Sequence, residues 1–368
     1  PPVSLAEGWM EAGTAVVDSG REPDRKWWSS LNDPVLSRLI ELAYEQNLSL
    51  LAAGIRVLEA RAQLGVAIGE FYPQQQQLNA SASYNRLPTS LPYAVVDNTF
   101  WQAAFGAQVG WELDLWGKIR RGIESAGSAF LASVAAYDDV LVTLTGDVAS
   151  TYVRIRTLDQ QLAIARENVV RQRQALAIAS ARFRGGVVSK RDVYQAENVL
   201  GATEAAIPQL NIERRRAIDA LCVLLGMPPA PLDRLFAGTS GIPVAPDALA
   251  VGIPADLLRR RPDVRQAELR AAAQSAQIGL AKGDLFPAFS LLGTIGSASS
   301  SIGQRGLGAG SLTIAAGPAV QWNVLNYGQI TNNVRAQDAR LQELLVDYQN
   351  TVLTAQQEVE NGISEFAQ

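Results

Sequence analysis

Residues 101–117 read WQAAFGAQVGWELDLWG, and residues 312–328 read LTIAAGPAVQWNVLNYG. In the first stretch Trp101, Ala103, Phe105, Ala107, Val109, Trp111 and Leu113 fall on one face of an extended chain. Gln102, Gly106, Gln108, Glu112 and Asp114 fall on the other. In the second, Leu312, Ile314, Ala316, Val320, Trp322 and Val324 oppose Ser311, Thr313, Gln321 and Asn323. Alternation with period two over this length predicts β-strands, because successive side chains of an extended chain point to opposite faces. Two shorter alternating segments precede them. Leu78, Ala80, Ala82 and Tyr84 oppose Asn79, Ser81, Ser83 and Asn85, and Phe289, Leu291 and Ile295 oppose Ser290 and Thr294.

The long strands also repeat each other. Gly106, Val109, Trp111, Gly117, Ile119, Tyr137, Thr143 and Val148 recur 211 residues later as Gly317, Val320, Trp322, Gly328, Ile330, Tyr348, Thr354 and Val359. Upstream, Arg56, Ala62, Gln63, Gly65, Gly69 and Pro73 recur 214 residues later as Arg270, Ala276, Gln277, Gly279, Gly283 and Pro287. The expected fold is a duplicated helix–strand–strand–helix unit of mixed α and β structure. Its expected parts are an N-terminal extended segment over 1–32, a first copy over 33–226, a linker over 227–256 and a second copy over 257–368. Strands are expected near 74–86, 100–115, 287–299 and 311–325. Measured against the first copy, on the order of 70 further residues would complete the second. The chain opens at Pro1 with no signal-peptide pattern, so it reads as a mature or trimmed form.

From about Gly117 to Phe183 apolar residues recur at spacings of three and four with no proline. That predicts one helix roughly 100 Å long at 1.5 Å per residue. Shorter helices are expected near Asp33–Gly69 and Ser189–Gly226, each roughly 55 Å long by the same rise, with Pro208 bending the second. No unbroken run approaches the roughly 18 apolar residues of a membrane-crossing helix.

Two environments fit the alternating strands. One is a soluble sheet with one face on a core. The other is a transmembrane β-barrel, apolar toward lipid and polar toward a lumen. Tyr72, Trp111, Trp116, Phe286, Trp322 and Tyr327, with Phe71, sit where strands meet helices, as amphipathic rings do at a bilayer interface. The far loops, Leu87 to Asn98 and Ser297 to Gly310, are rich in Pro, Gly and Ser. These features favour the barrel. Four strands cannot close one, since the smallest stable barrels have about eight, and open edges are not tolerated in hydrocarbon. Several chains must then share one barrel, and three would supply twelve strands.

Composition narrows the function. Hydrophobic residues make up 48% and charged residues 18%, which suits a large buried area. The formal charge of −4, with no basic stripe, gives no footprint for nucleic acid. There is no histidine, so the commonest general base, metal ligand and partner of a nucleophile are missing. No enzyme, cofactor or metal is expected. Cys222, within Leu221-Cys222-Val223-Leu224-Leu225, reads as a core thiol. The glycines of Gly303 to Gly310 do not lie between a buried strand and a helix, so no nucleotide loop is read there.

The chain resembles the outer-membrane factors of tripartite efflux pumps, the TolC/OprM type, and within them the NodT-like lipoproteins. The residues that carry this are Trp27-Trp28 with Asp33-Pro34, then Phe71-Tyr72-Pro73, and Trp111 to Gly117. They continue with Arg182-Phe183 through Gly186-Val187-Val188-Ser189 to Asp192-Val193, Leu224-Leu225-Gly226, and Arg260-Arg261-Pro262-Asp263-Val264 with Ala267-Glu268. The resemblance implies a homotrimer, with a twelve-strand outer-membrane β-barrel continued by a long periplasmic α-helical barrel. It implies that residues 1–32 and 227–256 are equatorial. It also implies a periplasmic adaptor, an inner-membrane transporter of the RND type, contact with outer-membrane lipid, and a lipidated cysteine upstream of Pro1. The function expected is a passive conduit for small-molecule export. A type I protein-secretion conduit and a soluble long-helix scaffold remain the alternatives.

Three groups of residues are candidates for that function. Arg184, Gly185, Gly186, Val187, Val188 and Ser189 read as a helical hairpin turn with a glycine C-cap and a serine N-cap. The resemblance adds adaptor docking at this tip. Asp192 either lines an entrance or complements the helix dipole. Gln108, Glu112, Asp114, Gln321 and Asn323 are candidates to face a lumen; Glu112 and Asp114 either bias it toward cations or pair with Lys118 and Arg120. Arg259, Arg260 and Arg261 are expected to close one helix while Pro262 opens the next.

Overall fold

The computed structural model describes residues 9–10, 17–18, 26–86, 99–238, 241–250, 258–300 and 311–367. The far loops at 87–98 and 301–310 lie outside these residues, as do much of the N-terminal segment and part of the linker. In chain order the elements are β1 (Val17–Asp18), a 3-10 helix (Trp27–Leu31), α1 (Pro34–Gln46), α2 (Leu48–Gly69), β2 (Gln75–Arg86) and β3 (Thr99–Leu113). There follow α3 (Lys118–Arg184), α4 (Lys190–Leu224), β4 (Leu249–Ala250), α5 (Pro262–Gly283), β5 (Ala288–Ser300), β6 (Leu312–Gln321) and α6 (Gln329–Ala367). They form two compact units, one of Pro1–Arg56, Ala135–Val264 and Val352–Gln368, the other of Val57–Val134 and Arg265–Thr351. Each sequence copy contributes to both units.

The first unit holds the main apolar core. Leu36, Leu39 and Ile40 of α1 pack with Val148, Tyr152 and Ile155 of α3 and with Ile218, Leu221 and Cys222 of α4. Cys222 is fully buried, as expected for a core thiol. One helix was expected over Asp33–Gly69, but the structure has two. Asn47 explains the break. Its backbone is extended and closes α1, its Oδ1 accepts from Leu50 N at 2.8 Å, and its Nδ2 donates to Leu224 O at 2.9 Å. An asparagine that satisfies both helix ends and a neighbouring carbonyl competes well with a continued helix. Gly226 sits against the same corner with φ of 69°, and a Cβ there would lie 2.1 Å from Gln46 O. α4 runs without interruption through Pro208. β1 and β4 pair in parallel.

α3 has 67 residues, roughly 100 Å by helical rise. It corrects one expectation: an 18-residue window in it reaches a mean hydropathy of 1.3, enough by composition to cross a membrane. Its apolar residues are interspersed with polar ones, so a search for unbroken runs passes over it.

The second unit is built on one antiparallel sheet in the order β2-β3-β5-β6. Leu78, Ala107, Ile295 and Ile314 form one row across it, and Gln77, Gln108 and Thr294 lie in the adjacent row on the opposite face. The expected strand ends at 115 and 325 are shorter in the structure. β6 stops at Gln321, opposite the first residue of β5, and β3 stops at Leu113. Past these points the described residues offer no strand to pair with, and the chain turns into α3 and α6 through Gly117 and Gly328, whose φ values of 79° and 82° suit glycine.

Candidate functional site

The apolar face of the sheet carries the first observation. In a soluble sheet this face would be covered. Here Leu78 is 77% exposed and Ile314 66%, and Trp101 and Phe105 are also exposed. The opposite face is polar along Gln77, Gln108 and Thr294, where Gln108 Nε2 donates to Gln77 Oε1 at 2.6 Å. An exposed apolar face backed by a polar one suits lipid on one side and water on the other.

At the helix ends of the strands the aromatic residues singled out in the sequence are held by specific contacts. Trp111 Nε1 donates to Phe71 O at 3.2 Å, and Trp322 Nε1 donates to Leu285 O at 3.1 Å. Trp116 stacks on Phe286 with ring centres 4.9 Å apart and donates to Pro287 O at 2.8 Å. Tyr72 and Tyr327 stand out from the surface. Each indole thus ties the end of a strand to a neighbouring turn; the rings of Trp116 and Trp322 stay exposed and that of Trp111 is half-buried.

The lumen candidates divide. Gln108, Glu112 and Gln321 lie in strands on the polar face. Asp114 and Asn323 do not belong to strands, because the ladder ends before them. Asp114 takes the pairing alternative. Its carboxylate accepts from Ile119 N and Arg120 N, each at 3.0 Å, and from Arg120 Nε at 2.9 Å, and its side chain is 5% exposed. It is the cap of α3, held by the orphan amides of the first turn. Lys118 pairs with Asp284 at 2.7 Å, a partner from the other copy. The structure still gathers Glu112, Asp114, Gln321 and Asn323 with Lys118 and Asp284 around one recess of about 180 Å³. Gln108 lies farther along the sheet.

The hairpin between α3 and α4 forms as the sequence suggests. Gly186 has φ of 73°, and Val187 N donates to Arg182 O at 2.9 Å, which closes α3 with a glycine turn. Ser189 opens α4. Its N and Oγ both donate to Asp192 Oδ2, at 2.8 and 2.7 Å. The Ser189 hydroxyl and amide hold the Asp192 carboxyl below its usual range. Val187 is 75% exposed, Arg184, Gly185 and Gly186 are exposed with it, and Val188 is half-buried. Beside the turn, Gln172 and Ala175 of α3 and Asp192, Gln195, Ala196 and Val199 of α4 line a groove of about 320 Å³.

One cluster in the first unit was missed. As expected, a helical segment ends at Arg260 and Pro262 opens α5; in addition, Arg261 Nη2 bridges Asp263 at 2.8 Å and Glu358 of α6 at 2.6 Å. Burial disfavours the charged form of Asp263, yet the bonds from Arg261 and Val264 N outweigh it and keep the carboxyl below its usual range. Asp139 of α3 goes the other way, raised by burial and then by the Asp263 carboxylate. Arg261 and Asp263 are neighbours in sequence, but no local signal points to Glu358 or Asp139, which lie on separate elements.

The comparisons with known proteins agree with these features. Residues 39–227 and 253–368 match the family described as outer membrane efflux protein. The chain is 31% identical over 363 residues to Nodulation protein T of Rhizobium leguminosarum bv. viciae, covering 99% of this chain and 72% of that protein. It is 29% identical over 347 residues to the pyoverdine export outer membrane protein OpmQ of Pseudomonas putida, covering 93% and 73%. Among solved structures, the outer-membrane channel OprN aligns with a TM-score of 0.89 at 30% identity, covering 99% of this chain and 81% of that one. The MtrE outer membrane channel of Neisseria gonorrhoeae aligns at 0.83 and 25%, covering 99% and 80%. The exposed apolar strand face, the aromatic strand ends and the long helices therefore have one common account: the chain belongs to the outer membrane efflux protein family, and it is an outer-membrane channel protein of efflux.

Proposed function

We propose that this chain is one subunit of a homotrimeric channel in which three four-stranded sheets close a twelve-strand barrel. The channel is a passive conduit, and its energy comes from a partner. The observation that carries this reading is the uncovered sheet. Its apolar face is exposed, and among the described residues its outer strands β2 and β6 each have one neighbour. Hydrocarbon accepts neither an open edge nor an unpaired backbone group, so other chains must complete the ladder. The relatives' printed names include pyoverdine export, solvent efflux and toluene efflux, and on that basis the cargo is small molecules. The polar face of the sheet, with Gln108, Glu112 and Gln321, lines the lumen. The exposed hairpin from Arg184 to Ser189, with Asp192 and the groove beside it, docks a periplasmic adaptor that links the channel to an inner-membrane transporter of the RND type.

The test is the mass of the detergent-solubilised protein by light scattering, followed by planar-bilayer conductance. A trimer with steady conductance supports the reading. A monodisperse monomer, stable without detergent, would sink it.

A further inference from the structure

The polar face of the sheet carries almost no charge. Among the described residues of the four strands, only Arg86 and Glu112 are acidic or basic. Arg86 falls on the apolar face, in step with Leu78. Glu112 is therefore the one charge on the polar face, at the helix end of β3.

Its backbone is held where the ladder runs out. β2 starts at Gln75, opposite Gly110, and the Gln74 side chain stands in for the next strand residue. Glu112 N donates to Gln74 Oε1 at 2.7 Å, and Gln74 Nε2 donates to Glu112 O at 3.2 Å. The carboxylate itself has no hydrogen-bond or ion-pair partner among the described residues. The nearby cations are engaged by other acids. Lys118 pairs with Asp284 at 2.7 Å and Arg120 with Asp114 at 2.9 Å. Lys118 also feels the charges of Glu112 and of Glu70, just past the end of α2. Among the groups joined by these interactions, Glu70, Glu112, Asp114 and Asp284 outnumber Lys118 and Arg120, so the surplus is negative. The second copy adds nothing to it. By the 211-residue offset Asn323 stands where Glu112 does and Leu325 where Asp114 does, and Asn323 lines the same recess as Glu112.

We infer that Glu112 sets the charge preference of the conduit: its carboxylate concentrates cations and depletes anions where the lumen passes from strands to helices, so cationic small molecules leave more readily than anions of the same size. The inference rests on the reading of the polar face as a lumen and names the property of the cargo that this lumen senses. Three copies put three such carboxylates at one level, and no other charge on that face of the described strands offsets them. A charge on the wall of a low-dielectric cleft acts on passing ions through water. Its reach is about 8 Å at physiological salt and about 30 Å at 0.01 M.

Ser290 stands directly opposite Glu112 in the ladder. Ser81, opposite Ala104 on the same face, lies eight positions along β3 from Glu112, about 27 Å. Cys222 is the one cysteine in the chain and is buried, so an engineered thiol is read over a low background. Purified particles carrying Ser290→Cys or Ser81→Cys are reacted with a cationic and an anionic methanethiosulfonate of similar size, and the two rates are taken as a ratio, in which accessibility cancels. A carboxylate about 5 Å away favours the cationic reagent by roughly tenfold in dilute buffer. That preference is expected at Ser290→Cys, kept by Glu112→Asp, lost with Glu112→Gln and reduced in 1 M salt. At Ser81→Cys the ratio is expected to ignore Glu112→Gln at physiological salt. In planar bilayers under a dilute KCl gradient, Glu112→Gln is expected to move the reversal potential away from cation preference. A Ser290→Cys ratio or a reversal potential that Glu112→Gln leaves unchanged overturns the inference while the channel stands. Thiols at both positions closed to both reagents, in particles of trimer mass, overturn the lumen reading and the inference with it.

Discussion

Tyr152 donates its hydroxyl proton to Asp33 Oδ2 at 2.7 Å, joining residues 119 positions apart inside the core of the first unit. Asp33 already caps α1 through its other oxygen, which accepts from Val35 N and Leu36 N. Arg156 Nε donates to the same phenol at 3.0 Å, its Nη2 donates to Phe236 O at 3.3 Å, and its guanidinium lies 5.1 Å from both rings. A helix cap, a core aromatic and the segment after α4 are thereby tied to one phenol. Tyr152→Phe keeps the packing and removes the phenol's two hydrogen bonds to charged groups, at a cost of about 2 kcal/mol. The check is a lower thermal midpoint by intrinsic fluorescence at unchanged helical content.

Gly226 is held by geometry alone. Its left-handed φ costs a side chain about 1–2 kcal/mol, and a Cβ would press on Gln46 O. Gly226→Ala is therefore expected to destabilise by more than the backbone term. The exposed Gly186, with φ of 73° and nothing within 4 Å of a Cβ position, supplies the comparison. Gly186→Ala meets the backbone term without the clash and is expected to cost less in the same melting experiment.

Asp139 and Asp263 should respond to pH in opposite directions. Asp139 is raised in the folded chain, so its contribution to stability is full below its unfolded value and is lost as pH rises through the folded one. Asp263 is lowered, so its contribution is present above its unfolded value and is lost as pH falls through the folded one. Asp139→Asn is expected to be more stable than the parent at neutral pH and to lose that advantage under acid. Asp263→Asn is expected to be less stable at neutral pH, with the difference shrinking in acid. Melting curves from pH 3 to 8 check both, and parallel pH profiles for the two variants would contradict the assignment.

The hairpin tip separates folding from function. Val187 is exposed and makes no core contact, so Val187→Asp should leave the amount and mass of the channel unchanged. If the tip docks a partner protein, an unpaired carboxylate in that contact should weaken it by about tenfold or more. The readout is efflux, measured as dye retention or solvent tolerance in cells that carry the cognate pump. Full export with Val187→Asp would place the docking elsewhere.

Local patterns were legible in the sequence and long-range partners were not. The period-two alternation from Trp101 to Leu113, the glycine turn at Gly186 and the core thiol Cys222 follow from side chains within a few residues of one another, and the duplication from comparing such local patterns along the chain. Spacing along the chain sets which face a residue occupies, and a line of text carries that. The break at Asn47 was missed because apolar spacing continues across it, and the decision lies with Leu224 O in another helix. Asp114 reads as a strand residue until the ladder runs out of partners, after which it becomes a helix cap. Lys118 finds Asp284, and Arg261 finds Glu358, across 166 and 97 positions. Those pairings depend on how helices pack. The sequence by itself determined that four two-faced strands come from a duplicated unit. Only the tertiary structure decided that their apolar face lies uncovered and that Gly283 is filled where Gly69 is open, because coverage and contact belong to elements far apart in the chain.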